Sequence, residues 1–208
     1  MPNKIANPNF QLSQTKKAIE VLGEKINKTL FNGEVEPYLT TIQPQGRKNC
    51  IGWATVHKQW SAKDKKKVEY RELNICAEFL HQPEVVFECI VHELVHLWNA
   101  GKKIKDCSKS GVHNKKFKAK AETVGLVVEH SKQHGHAHTS IAKKGPAEKL
   151  LKSIKNLKKD FPVSRKLLLT AKAKTKNLKW SCDCTNVRCA TELVATCGEC
   201  GEEFELQN

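Results

Sequence analysis

Apolar residues along this chain follow a helical period in some stretches and a two-residue alternation in others. Over residues 13–31, Ile19, Leu22, Ile26 and Leu30 share one face and Asn32-Gly33 supplies a stop, which predicts a first helix. Residues 37–80 read as strands. Tyr38 to Ile42, Ile51 to His57 and Tyr70 to Ala77 carry β-branched and aromatic side chains, and Leu73, Ile75 and Ala77 alternate onto one face. Gln43 to Gly46 and Ser61 to Asp64 are turn material between them. Between Gln82 and Gly101 there is no lysine, and nearly every position is apolar. Beyond Glu84 in the first turn, the exceptions Glu88, His92, Glu93, His96 and Asn99 recur at helical spacing and form one narrow polar stripe. Pro83 suits the first turn of this helix and Gly101 its end. A helix so apolar belongs in the core, where imidazoles and carboxylates are costly unless something pairs with them.

After a polar loop from Lys102 to Gly111, the period predicts a third helix over about residues 114–129. Phe117, Ala121, Val124 and Val128 line its inner face, and Lys115, Lys118, Glu122 and Glu129 its outer one. His130 to Thr139 is expected to be a loop, and residues 146–159 a short amphipathic helix through Leu150, Leu151, Ile154 and Leu157. Ile141 to Trp180 holds 13 basic residues against Glu148 and Asp160, a net +11, and is a candidate linker and electrostatic footprint. The organisation expected is a main domain over 1–140, a basic helical or linker segment over 141–179, and a separate cysteine-rich module over 180–208.

Composition narrows the function classes. Hydrophobic residues make up 39% of the 208, low for a wholly globular chain, so part of the length is expected to be solvated or extended. No apolar run approaches the length of about 18 residues that spans a membrane. Met1 to Asn7 lacks the apolar run of a secretory signal. A cytoplasmic location follows as the expectation, and the nine cysteines then read as thiols or metal ligands rather than disulfides. The net charge of +14 comes almost wholly from lysine, since only Arg47, Arg71, Arg165 and Arg188 are arginines. Lysine suits phosphates as a point charge, whereas arginine is the usual reader of guanine. A nucleic-acid partner would therefore be held through its backbone, by the 141–179 segment, without sequence preference. A lysine-rich surface serves solubility equally well.

His92 and His96 stand at i and i+4 and can ligate one zinc ion, with Glu93 placed as general base toward a water there. A catalytic zinc takes three protein ligands and keeps one position open. Two residues compete for the third place. His113 precedes the third helix in phase with Phe117 and Ala121 and so points inward, while Glu122 falls on the lysine-bearing outer face; phase favours His113. His57 and His81 read as strand-end or core histidines. His130, His134, His136 and His138 read as a solvated loop, or else as cleft-lining or adventitious ligands.

Helix, strands, His92-Glu93-Leu94-Val95-His96 with Leu97-Trp98-Asn99 behind it, then a loop and His113-Asn114-Lys115-Lys116-Phe117, together resemble the SprT-like zinc metallopeptidases, a group that includes Spartan. The resemblance covers about residues 13–140 and extends to a C-terminal zinc ribbon. It implies an α+β, zincin-like fold, with His92, His96 and His113 as ligands, Glu93 as catalytic base, and DNA-associated proteins as substrates. Members often carry Gly-Pro-Glu or Gly-Lys-Glu after the third histidine, where this chain has Asn114-Lys115-Lys116.

In the last segment, Cys182 and Cys184 are followed by Cys197 and Cys200, two close pairs that suit a structural zinc of four thiolates. Gly198 and Gly201 permit the tight knuckle in which amides approach the sulfurs. The first pair has one intervening residue rather than two, so Cys189 is a possible substitute for one member. So short a segment cannot bury enough core alone, and metal would hold it folded. Cys50, Cys76, Cys89 and Cys107 are expected to behave as small apolar residues, with Cys107 the most exposed.

Two zinc ions are thus expected, one catalytic and one structural. The leading function is a zinc-dependent endopeptidase acting on DNA-bound proteins. The alternative is a non-catalytic, zinc-containing nucleic-acid-binding protein, which has no need of Glu93. A zinc hydrolase of small amides is a third option, although the deformylase version lacks its cysteine ligand motif ahead of the paired histidines.

Overall fold

The computed structural model describes residues 12–46, 50–62, 68–166 and 177–207. Met1 to Asn7, Lys63 and Asp64 of the second expected turn, and residues 167–176 of the basic segment lie outside the described residues.

The first helix, α1 (Leu12–Leu30), buries Ile19, Leu22 and Ile26 on the face their period requires. Strands β1 (Tyr38–Gln43), β2 (Gly52–Ala54), β3 (Trp60–Ser61) and β4 (Glu69–Cys76) follow in one small sheet. β4 is its centre. β2 and β3 pair with β4 antiparallel, while β1 pairs with it in parallel. The strand expected from Ile51 to His57 is only three residues long, because the chain bends to the surface beyond Thr55.

Helix α2 (Pro83–Gly101) packs against β2, β4, α1 and the later helix α3 (Lys115–Thr123). Val86, Phe87, Ile90, Val91, Leu94 and Val95 on α2 have no solvent exposure. Each such side chain contributes about 1.5–3 kcal/mol of burial. This is why the polar stripe on α2 ends up inside the molecule. The Asn114 side chain caps α3, its Oδ1 accepting from the amides of Lys116 at 2.8 Å and Phe117 at 3.4 Å.

The third helix stops at Thr123, short of the expected 129, and the segment beyond it is not a loop. Strands β5 (Leu126–Ser131) and β6 (Gly135–Ile141) form an antiparallel hairpin, pairing Leu126 with Ile141 and Val128 with Thr139. Helical and strand periods both turn Val124 and Val128 inward, so burial alone does not separate the two readings. Gly125 decides it. At φ +93° it leaves the helix in a conformation other residues rarely adopt, and the β-branched pair Val127-Val128 comes next.

Helix α4 (Pro146–Ser153) is shorter than expected. Asn156, at φ +62°, separates it from a 3-10 turn at Leu157–Asp160. Ala147, Leu150, Leu157 and Phe161 join the main core. The chain divides into units Met1–Leu167 and Leu168–Asn208, so the early part of the 141–179 segment packs with the first unit instead of linking. The second unit is a three-stranded antiparallel sheet of β7 (Leu178–Ser181), β8 (Asn186–Cys189) and β9 (Glu205–Gln207), with β7 central. The architecture is α+β and zincin-like, with a C-terminal cysteine-rich module. No helix among the described residues is long and apolar enough to cross a membrane.

Candidate metal centre

His92 and His96 project from α2 one turn apart, and the loop before α3 brings His113 to meet them. The His113 Nε2 atom lies 3.2 Å from His92 Nε2 and 2.8 Å from His96 Nε2. Each ring is braced from behind through Nδ1. Thr139 Oγ1 stands 3.1 Å from His92 Nδ1, Asp106 Oδ2 2.8 Å from His96 Nδ1, and the Gly111 carbonyl 3.0 Å from His113 Nδ1. Thr139 also favours the ionised form of Glu88, against the burial that raises the Glu88 pKa. Beneath the three rings lies Phe117, fully buried, its centroid 4.5–4.7 Å from each of theirs.

This bracing decides what the cluster can do. A neutral imidazole that donates through Nδ1 leaves Nε2 as a bare acceptor. Three acceptors then converge on one point, an arrangement that a shared cation relieves. A tetrahedral zinc at about 2.0–2.1 Å from each nitrogen would hold the nitrogens about 3.3 Å apart. The observed separations fall just inside that, and three imidazoles with a free fourth direction are a zinc donor set. The residues fit the ion.

The electrostatics agree. Burial holds the His92 pKa well below its ordinary value, and burial lowers that of His113 to about 4. For His96 burial also pulls downward, but its hydrogen bond to the Asp106 carboxylate and the nearby Glu93 outweigh it and leave its pKa raised. Asp106 is itself 3% exposed and also accepts from Asn99 Nδ2 at 3.0 Å. Pairing with His96 overcomes its burial and keeps it ionised, with a lowered pKa.

Glu93 is buried, and burial lifts its pKa to about 7 despite the opposing influence of His96 and the backbone amide of Ala54. It lines a cleft of about 400 Å³ together with His92, Glu88, Gly52, His138 and Thr139. One wall of the cleft therefore comes from β2 and the other from β6. The hairpin also fixes His113. The amide of His113 donates to His134 O at 3.2 Å, and the amide of His136 donates to His113 O at 3.1 Å. Gly135 between them sits at φ +62°, and a Cβ there would lie 2.2 Å from the His113 carbonyl oxygen. Only glycine permits this approach.

Glu122, the competing third ligand, is exposed and pairs with Lys118 at 3.6 Å, away from the cluster. His57 and His81 are exposed and outside any strand, not core residues. In the hairpin, His130 faces His136 and His134 faces His138, with only His138 lining the cleft. Asp106, Thr139 and the bracing role of the hairpin were not evident from sequence. Asp106 lies in an irregular loop with no periodicity to place it. Its one available signal is that a metal-binding histidine needs an acceptor behind it.

In the second unit the sulfurs of Cys182, Cys184, Cys197 and Cys200 all lie within 4.8 Å of one another. Cys184 Sγ is 3.5 Å from Cys197 Sγ and 3.7 Å from Cys182 Sγ. A zinc bound at about 2.3 Å to each would separate the sulfurs by about 3.8 Å. The amides of Cys200 and Glu199 lower the Cys197 pKa to about 6, favouring the thiolate that a metal requires. Cys189 stands outside the group, its thiol donating to Thr191 O at 2.8 Å. Cys76 and Cys89 are buried, and Cys50 and Cys107 half-buried. No protein-family model, curated protein or solved structure matches this chain.

Proposed function

We propose that this chain is a zinc-dependent endopeptidase of the SprT-like type that acts on DNA-associated proteins in the cytoplasm. One observation carries the reading: a buried carboxylate, Glu93, adjoins the converging imidazoles and faces an open cleft. A purely structural site needs no base there. Zinc held by His92, His96 and His113 would polarise a substrate carbonyl and bring the pKa of water to about 7. Glu93, buried beside the imidazoles at the cleft, would then take a proton from water and hand it to the departing amine. The cleft runs between β2 and β6, which gives an extended peptide two flanking strands. Thr139, Asp106 and Gly111 hold the rings in place during the proton transfers. The likeness of the motif residues to SprT-like peptidases, and the chain's lysine excess, support DNA-bound proteins as the substrate class.

The test is Glu93→Gln. The variant should retain two zinc ions per chain and lose about 100-fold or more in cleavage of unfolded or DNA-linked protein. Undiminished cleavage by the variant would reject the mechanism. A wild-type protein that binds zinc and nucleic acid yet cleaves neither substrate would establish the non-catalytic alternative.

A further inference from the structure

Three thiols gather at the cleft and have no part in the metal centre. Cys50 and Cys89 line it, and Cys76 lies fully buried next to Cys50. The Cys50 thiol donates to the Gly52 carbonyl oxygen at 3.1 Å. Cys50 and Cys76 are also hydrogen-bonded to each other, and with the Cys50 proton already given to Gly52, Cys76 is the donor of that pair. Asn74 Nδ2, 4.0 Å from Cys76 Sγ, heads a chain of donors that runs through Cys76 and Cys50 to Gly52. The last acceptor in this chain stands at the edge of the sheet. The amide of Thr55 donates to Glu72 O at 2.9 Å and that of Cys76 to Ile51 O at 2.8 Å, so residues 51 and 55 turn their backbone groups toward β4. By the alternation of an antiparallel pair, Gly52 and Ala54 turn theirs to the outer edge of β2, on the side of the cleft. The Ala54 amide meets Glu93 there, and the Gly52 carbonyl meets the Cys50 thiol.

We propose that Cys50 and Cys76 are a modification site for hydroperoxides, which convert the hydrogen-bonded thiols to a reversible disulfide and so strip the donor from the Gly52 carbonyl. Cys50 is half-buried and opens on the cleft, so a small oxidant can reach its sulfur. Attack of that sulfur on hydrogen peroxide breaks the O–O bond, leaves a sulfenic acid at Cys50 and releases one water. The Cys76 sulfur then displaces the hydroxyl, the S–S bond forms, and the Cys76 proton departs with the hydroxyl as a second water. The two thiols lose two electrons, and one peroxide is reduced to two waters. Cys76, with no exposure, cannot meet the oxidant itself, but its hydrogen bond already holds it against Cys50 as the resolving thiol. Cys50 precedes β2, so its sulfur can close on Cys76 without parting β2 from β4. Cys89 packs against Gly52 instead, its sulfur 2.6 Å from where a Cβ there would lie. In the oxidised form neither sulfur of the pair carries a hydrogen. The outward Gly52 carbonyl is then released to accept from an extended peptide laid along β2, a consequence that rests on the peptidase reading, whereas the disulfide itself does not.

Treating the full-length, zinc-loaded protein with a small excess of hydrogen peroxide, then denaturing, alkylating and mapping its peptides by mass, tests the site. The peptides holding Cys50 and Cys76 should appear joined, two hydrogens lighter than their sum, and dithiothreitol should part them. In Cys76→Ala the reaction should stop at the Cys50 sulfenic acid, which dimedone traps, whereas Cys89→Ala should keep the wild-type linkage. Cys50 joined to Cys89, or both thiols of the pair still alkylated after peroxide, overturns the site. The coupling to the cleft is read as the Kd of a labelled casein peptide for Glu93→Gln, which need not cleave it. Oxidation should tighten this binding about two- to fivefold, because the peptide no longer has to displace a weak donor. Cys50→Ala, placed in the Glu93→Gln background, should match the oxidised form without peroxide. Equal affinity in the reduced and oxidised states overturns the release of Gly52. A protein that forms the disulfide yet binds no peptide in either state rejects the endopeptidase reading and leaves the disulfide standing.

Discussion

The histidine cluster and the cysteine cluster both gather metal-binding atoms from separate stretches of chain, but different forces bring them together. Around the histidines, α2 contributes fully buried side chains to a core that includes α1, β4 and α3, and each ring has its own hydrogen-bonded brace. Packing there holds the ligands in place. Around the cysteines, Trp180 and Cys197 are the only buried hydrophobic residues described in the second unit, and Cys184 and Cys200 are exposed. So little burial cannot offset the entropy of ordering the chain. In the first unit the fold makes the metal site; in the second a bound metal would have to make the fold.

The most forceful way to break this contrast is to take the metal away. Chelation, or Cys197→Ser, should unfold the second unit outright, because structural zinc supplies about 10–16 kcal/mol to such modules. The first unit should keep its cooperative melt. Amide dispersion by NMR would report both units at once, and a second unit still dispersed without metal would refute the distinction.

A smaller effect should appear in the metal-free first unit as a dependence on pH. Glu93 titrates near 7 when folded and near its ordinary value of 4.5 when unfolded. Between those values the folded state binds the extra proton. The contribution of this group is thus fully present below about 4.5 and lost as pH rises through about 7. His113, lowered to about 4, works in the opposite direction below its ordinary 6.5, so the net slope of wild type alone is ambiguous. The difference between wild type and Glu93→Gln isolates the carboxyl. Urea melts at about pH 5 and about pH 8 should show wild type losing about 2–4 kcal/mol relative to the variant. Parallel pH profiles would mean that Glu93 is better solvated than its burial suggests.

The finest test addresses the braces themselves. Asp106→Asn should weaken zinc binding at the histidines about 10- to 100-fold, and Thr139→Val should do so by less, since a neutral hydroxyl is removed instead of a charge. Thr139→Ser should restore the loss. Chelator competition measures each, and zinc at the cysteines should not change. Were both sites to weaken together, general destabilisation would be the cause.

Some of this arrangement was legible one residue at a time. His92, Glu93 and His96 belong to a single helix whose geometry ties sequence spacing to position in space, and the greasy flanks place that helix inside. The four cysteines were legible because their close pairs constrain one another. His113 was legible by phase, although its true support is the hairpin and not the helix after it. That hairpin was hidden because Val124 and Val128 satisfy two periods at once. Its glycine clamp on His113 depends on two segments more than twenty residues apart packing so closely that a Cβ on Gly135 would lie 2.2 Å from the His113 carbonyl oxygen.

Local sequence by itself determined which atoms this protein offers to a metal, since ligand identity and short-range spacing travel with the chain. Only the tertiary structure decided which way those atoms face. Asp106, Thr139 and Gly111 orient the three imidazoles through contacts across loops and a hairpin, and Trp98 meets Lys120 only because α2 packs on α3. Such pairings depend on long-range packing, for which no repeat along the sequence carries a signal.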